Sequence, residues 1–180
     1  MTKSKKHLLR VLLTSTALVF ATLFVVGQNS SDFTDPQIAH IAVTANQIDI
    51  NTGELALKKS SNAEVKKFAQ TMINDHKAVI GQATTLAGKL SVQPEDNALS
   101  KKLMSDAQKA KKELSAKPAS EFDKAYIDHE VAYHKAVIAA VRDVLIPQTD
   151  NAELKSLLQN VLPALEAHLQ HAEMIQKNHK

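Results

Sequence analysis

Three stretches of this chain carry apolar residues at alternating spacings of three and four, and a histidine interrupts each stripe. The first stripe is Val65, Ala69, Met72, His76, Val79, Ala83, Leu86 and Leu90. The second is Ile127, Val131, His134, Ile138, Val141 and Leu145, and the third is Leu154, Leu158, Val161, Leu165, His168, Ala172 and Ile175. A fourth, Ile38, Ala42, Ala45, Asp49, Thr52 and Ala56, has an aspartate in the corresponding place. This spacing is the period of an α-helix. It gives each helix one face that must leave water. Four long helices with one such face each bury them by packing together, so the pattern predicts an all-α four-helix bundle. Composition agrees: 4 Gly and 5 Pro in 180 residues leave few helix breakers, and 44% hydrophobic content is enough for one core.

Local punctuation sets the boundaries. Asp35-Pro36 reads as a cap and first turn, opening a helix that runs to about Lys59. Ser61 to Glu64 has the form of a capping box and starts a second helix, to about Leu90. SVQPED is a loop. A shorter helix from about Asn97 to Leu114 follows, with Leu99, Leu103, Ala107, Ala110 and Leu114 on one side. It occupies the crossover between the second and third long helices. KPAS ends it, and Ser120 to Asp123 resembles another capping box, opening a helix to about Leu145. IPQTD is a turn, Asp150 to Glu153 caps the last helix, and Pro163 should kink it.

The first residues have a different character. MTKSKKHLLR is basic, VLLTSTALVFATLFVVG is apolar and QNSSDFTD is polar, the three regions of a secretory signal. We expect a signal peptide at 1–27, a linker at 28–34 and the bundle at 35–178. The alternative is an uncleaved anchor, because the apolar run approaches a membrane-spanning length. Loss of Lys3, Lys5, Lys6 and Arg10 changes the balance from 22 basic against 19 acidic residues to 18 against 19. The remaining lysine pairs are interspersed with acids and lack interleaved aromatics, so no nucleic-acid partner is expected. The mature chain is expected in the periplasm, without an integral span, with an envelope protein as a possible partner. Cysteine is absent, which excludes disulfides, thiolate metal sites, a cysteine nucleophile and a lipoprotein anchor.

The polar residues inside the stripes carry the functional expectation. His76 and His134 each open an HKAVI segment that turns the histidine inward and the lysine outward. Counted from a turn near residue 62, Asp49 and His76 lie about 13 and 14 residues away, roughly 20 Å along each helix. From a turn near 149, His134 and His168 lie about 15 and 19 away, a mismatch of roughly 6 Å. Buried imidazoles and a buried carboxylate are costly without partners. Three histidines and an aspartate suit one divalent transition metal: Zn²⁺ in a tetrahedral shell, or Cu²⁺, Ni²⁺ or Fe²⁺ in other geometries. The competing reading is a metal-free structural or interaction bundle, with these residues forming a hydrogen-bonded layer that sets helix register.

Glu130, four residues before His134, is placed to orient it. Asp75 points about 100° away from its neighbour His76 and is free to bond another helix. Residues three before the histidines are Ile73, Val131 and Leu165, so the Glu-x-x-His pairs of di-iron bundles are missing. There is no phosphate loop or hydrolase constellation either, so an enzyme is the less favoured reading; a metalloenzyme would need an open coordination position and a pocket, and the sequence shows neither. His40, His129, His171 and His179 are expected at the periphery. Tyr126 and Tyr133 should pack with their hydroxyls at the edge, and Met72 and Met104 should be single core residues.

The ordered segments IDINTGELAL, VKKFAQTMINDH, FDKAYIDHEVAYH and LPALEAHL resemble an exported bacterial family, domain of unknown function 4142, often labelled "predicted outer membrane protein". The resemblance covers roughly residues 33–177 and implies a ferritin-like helical bundle. It places His76, His134 and His168 at the family's recurring histidines. Asp49 stands where the family usually has the longer glutamate. The outer-membrane label does not fit these residues, because no alternating strand pattern of a β-barrel occurs.

Overall fold

The computed structural model describes residues 32–178. The expected signal peptide, most of the linker and His179 lie outside them. Among the described residues the regular structure is helical throughout. Helices α1 (Asp35–Lys59) and α2 (Ala63–Leu90) form one antiparallel pair, and α4 (Ala119–Ala140) and α6 (Ala152–Asn178) form the other. Helix α3 (Ala98–Ala116) fills the crossover and packs mainly on α1. This is the expected four-helix bundle with a short extra helix.

The caps shift by a residue or two from their expected places. Thr34, not Asp35, caps α1, and its partner in the capping box is Gln37. Asp35 instead accepts hydrogen bonds from the backbone N–H groups of Asp150 and Asn151, at 3.0 and 2.8 Å. Its carboxylate thereby sits at the start of α6, where exposed N–H groups favour negative charge. Asn62, rather than Ser61, caps α2 by accepting from the N–H groups of Glu64 and Val65. The Ser120 box does not form, since α4 begins directly after Pro118. Asn97 caps α3, and within the expected segment Asp150 to Glu153 it is Asn151 that caps α6.

Pro163 does not interrupt the helical run of α6. The irregularity falls on α4, which continues as a π-helical turn (Val141–Leu145) and then α5 (Ile146–Gln148). Helical chain therefore extends over the start of the expected IPQTD turn, and the reversal occurs at 149–151. Measured from residue 150, His134 and His168 are about 16 and 18 residues away, so half of the expected mismatch disappears, leaving roughly 3 Å.

The core is divided in two. One cluster joins Ala56, Val65, Phe68, Met72, Phe122, Tyr126, Ile127, Val131, Ala172 and Ile175, with Leu114 of α3 at its side. The other joins Ile38, Ile41, Ile48, Tyr133, Ile138, Val141, Leu145, Leu154, Leu158 and Leu165, with Leu103 of α3. Asp49, His76, His134 and His168 stand at the junction in sequence on all four long helices. Close packing of α1 on α2 depends on Gly53. A Cβ there would meet Ile73 Cγ1 at 3.0 Å and the Ala69 carbonyl at 3.1 Å.

Helix α2 contributes differently to the two halves. Val65, Phe68, Ala69, Met72, Ile73 and His76 are buried. Beyond His76, the stripe residues Val79, Ala83, Leu86 and Leu90 are only half-buried. Met104, expected in the core, is 39% exposed. Its neighbour Leu103 turns inward instead.

Candidate metal centre

Each long helix delivers one polar side chain to the same interior level. Asp49, His76, His134 and His168 are 1%, 4%, 0% and 7% exposed, so none relies on bulk water. Ring centroids lie 5.8 Å apart for His76 and His134, 5.3 Å for His76 and His168, and 5.5 Å for His134 and His168. One ligating nitrogen from each ring lies within 4.8 Å of the other two. Asp49 Oδ2 is 3.2 Å from His76 Nε2 and 3.5 Å from His134 Nε2. The structure thus gathers all four residues singled out from the stripes.

The outward nitrogen of each imidazole is fixed by an oxygen. His134 Nδ1 faces the Glu130 carbonyl at 3.0 Å. His168 Nε2 faces the Asp75 carboxylate at 2.8 Å. His76 Nδ1 faces Asn46 Oδ1 at 2.7 Å, while the Asn46 amide NH₂ donates to the Ala42 carbonyl at 2.8 Å and so fixes the amide's orientation. These oxygens accept, so each facing nitrogen carries the hydrogen in the neutral ring. The lone pairs then belong to His76 Nε2, His134 Nε2 and His168 Nδ1. All three atoms are buried and make no hydrogen bond, and neither do the two oxygens of Asp49. The 3.2 Å approach of Asp49 to His76 is close enough for charge interaction but is not aligned as a hydrogen bond.

The electrostatics sharpen the imbalance. Burial favours the neutral form and lowers His134 and His168 from the usual imidazole value, against the pull of nearby carboxylates. Burial alone would raise the Asp49 carboxyl, but interaction with His76 first, and then with His134 and His168 whenever these rings carry a proton, holds it below the ordinary aspartate value. A buried carboxylate facing imidazole lone pairs needs a cation or a proton between them. The competing reading, a metal-free hydrogen-bonded layer, requires that proton to lie between Asp49 and His76, 3.2 Å apart. The donor set, three imidazole nitrogens and a carboxylate, fits a transition-metal ion.

Glu130 plays a larger part than orientation. Its carbonyl holds His134, while its carboxyl is 1% exposed and 3.6 Å from His134 Nδ1. Asp49, Glu130 and His134 form a second close group of potential ligands. Burial, followed by the charge of Asp49, pushes the Glu130 carboxyl well above the usual carboxylate range. Asp75, 50% exposed at its side chain, bonds α6 through His168. Asn46 was missed in the sequence. Its signal was its position three residues before Asp49, on the same helical face.

Several peripheral expectations need correction. His171 is half-buried rather than exposed and meets Phe68 edge-on at 5.2 Å. Tyr126 is fully buried, and Tyr133 is 5% exposed and donates from its hydroxyl to the Ala45 carbonyl at 2.8 Å, so neither hydroxyl is at an edge. His40 is partly exposed and 4.0 Å from Asp96. His129 is half-buried and stacked on Tyr133 at 5.8 Å. Burial lowers it from 6.5 to about 4.

That shift gives a pH dependence with a definite sign. Below pH 6.5 the unfolded chain takes up a proton at His129 that the native chain resists until about pH 4. Stability therefore falls as pH drops through that window, by at most about 3 kcal/mol for this group. His129→Gln should show a flatter dependence. Urea unfolding of both proteins at pH 4.5 and 7.5 checks this, and equal slopes would contradict it.

A family model described as "Domain of unknown function (DUF4142)" matches residues 25–175. No curated protein matches the chain. Among solved structures, the chain is similar to one described as CopM in the Cu(II)-bound form, with a TM-score of 0.61 and 21% identity. That similarity covers 81% of this chain and 98% of the other. At this identity it speaks for a shared helical-bundle fold. No helix among the described residues is long and apolar enough to cross a membrane.

Proposed function

Since the chain belongs to the DUF4142 family, whose description assigns no chemistry, we propose from the site itself that it binds one divalent transition-metal ion in the bundle core. His76, His134 and His168 would supply neutral imidazole nitrogens and Asp49 a carboxylate, with Asn46, Glu130 and Asp75 holding the rings. The observation that carries this reading is the set of inward atoms: three buried rings that each bring a nitrogen within 4.8 Å of the other two, and the Asp49 carboxylate 3.2 and 3.5 Å from two of them. Oxygen partners on the outward nitrogens are the arrangement that orients metal-binding histidines. The copper-bound description of a protein with this fold adds Cu²⁺ to the ions worth testing first, alongside Zn²⁺, Ni²⁺ and Fe²⁺.

The basic and apolar leader supports export, and the folded unit at 35–178 would act in the periplasm in metal buffering or protection against envelope stress. Binding, rather than turnover, is its role in this reading.

Equilibrium dialysis against each metal, followed by elemental analysis, tests the proposal. The expected result is one ion per chain for at least one metal, falling to none in His134→Ala with unchanged far-ultraviolet circular dichroism. Absence of stoichiometric uptake, or uptake that survives the substitution, would sink it. In the first case the buried layer would be read as structural.

A further inference from the structure

The interior beside the proposed metal centre is not filled. A cavity of about 90 Å³ extends from Asp49 and the three histidines into the half of the bundle where α2 is poorly buried. Its lining is overwhelmingly alanine, valine, leucine and isoleucine. The exceptions gather at one end, around the histidine layer. Glu130 does not line it.

The shape of this chamber follows from how α2 and α6 are joined. Asp75 bonds His168 at one level, and Lys89 pairs with Glu153 nearer the end. Between these latches, Val79, Ile80 and Ala83 of α2 and Leu157, Val161 and Ala164 of α6 line the chamber. All six retain some exposure, and Ala164 is exposed. The chamber therefore reaches solvent along the α2–α6 seam and ends on the metal-binding atoms.

We propose that this chamber binds an aliphatic carboxylate, with its hydrocarbon chain along the α2–α6 seam and its carboxylate on the metal ion. The proposal rests on the metal reading. Apolar walls select the chain and exclude a polar ligand, whose groups would find no hydrogen-bond partners there. Three neutral imidazoles and one carboxylate would leave a divalent ion with one net positive charge, which selects an anionic head; that head would join the four donors as a fifth ligand in an expanded shell. Without the ion, Asp49 would repel that head. The ligand class thus requires both halves of the site, the apolar seam and the loaded centre.

The test uses the purified chain loaded with Co²⁺, whose visible absorption reports its ligands. Acetate, butanoate, hexanoate and octanoate are titrated in turn. The expected result is a change in the Co²⁺ bands, with affinity rising about fourfold for each methylene buried until the chamber is full. Ala83→Phe, which fills the seam, should remove the dependence on chain length while leaving Co²⁺ affinity unchanged. Ile80→Trp is a second filling substitution, in case the first does not fold. Bands that ignore all four acids, or respond equally to acetate and octanoate, would overturn the proposal while leaving the metal reading intact. A chain-length dependence that survives both filling substitutions would overturn it as well. If Co²⁺ does not bind, the same titration is read on the bands of Cu²⁺ or Ni²⁺; uptake of none of Co²⁺, Cu²⁺, Zn²⁺, Ni²⁺ and Fe²⁺, seen before any acid is added, would remove the metal reading and this proposal together.

Discussion

Adding Cu²⁺ or Zn²⁺ to chelator-treated protein, at 100 times its dissociation constant, should stabilise the native state by about 2.7 kcal/mol. For a chain of this size that corresponds to a rise in Tm of roughly 5–10 °C. The gain arises because the site exists only when four helices are packed. The unfolded chain offers the same residues scattered over 120 positions, so the ion binds the folded form selectively. His76→Ala should abolish the shift, since it deletes one of three converging nitrogens. His171→Ala should preserve it, because His171 lies against Phe68. Calorimetry with and without metal separates the outcomes. An equal shift in His76→Ala would place the ion elsewhere and contradict the assignment of the inward layer.

A second large effect is expected away from the centre. Phe68 is fully buried and packs on Tyr126 at 6.2 Å and His171 at 5.2 Å. It belongs to the cluster in which α2 contributes most of its buried surface. Phe68→Ala removes a ring from a site whose neighbours come from three helices and cannot all collapse into the space. The expected cost is about 3–5 kcal/mol. Phe68→Leu keeps most of the volume and should cost less than about 1.5 kcal/mol. Urea unfolding reads both, with a lowered midpoint and an unchanged slope for a change in stability alone. A loss below about 1 kcal/mol for Phe68→Ala would mean that this cluster is looser than the packing indicates. The comparable substitution at Val79, half-buried on the open part of α2, should cost less, because little packing surrounds it.

The sequence alone determined the helices and their inward faces. Period and caps are local properties: an apolar residue every third or fourth position gives one buried side, whatever lies opposite. For the same reason Asp49, His76, His134 and His168 were legible as interior residues, and the pairing of Asp49 with His76 followed from counting away from one short turn. The counting was less good for His134 and His168. The π-helical turn and α5 moved the reversal, and a turn's position is set by how helix ends pack as well as by its residues.

Only the tertiary structure decided what faces each imidazole. The Asn46 oxygen, the Glu130 carbonyl and the Asp75 carboxylate take the outward nitrogens, and that assignment leaves the inward ones unpartnered. Asn46 and Asp75 reach their histidines from other helices, so their roles depend on helix rotation to within a fraction of a turn, which hydrophobic periodicity does not resolve. Tertiary packing also placed Glu130 in the interior and left the later part of α2 half-buried. A stripe records which side a helix would bury. How deeply it is buried depends on how many neighbours arrive, and beyond His76 too few do, so the chamber remains open beside the centre.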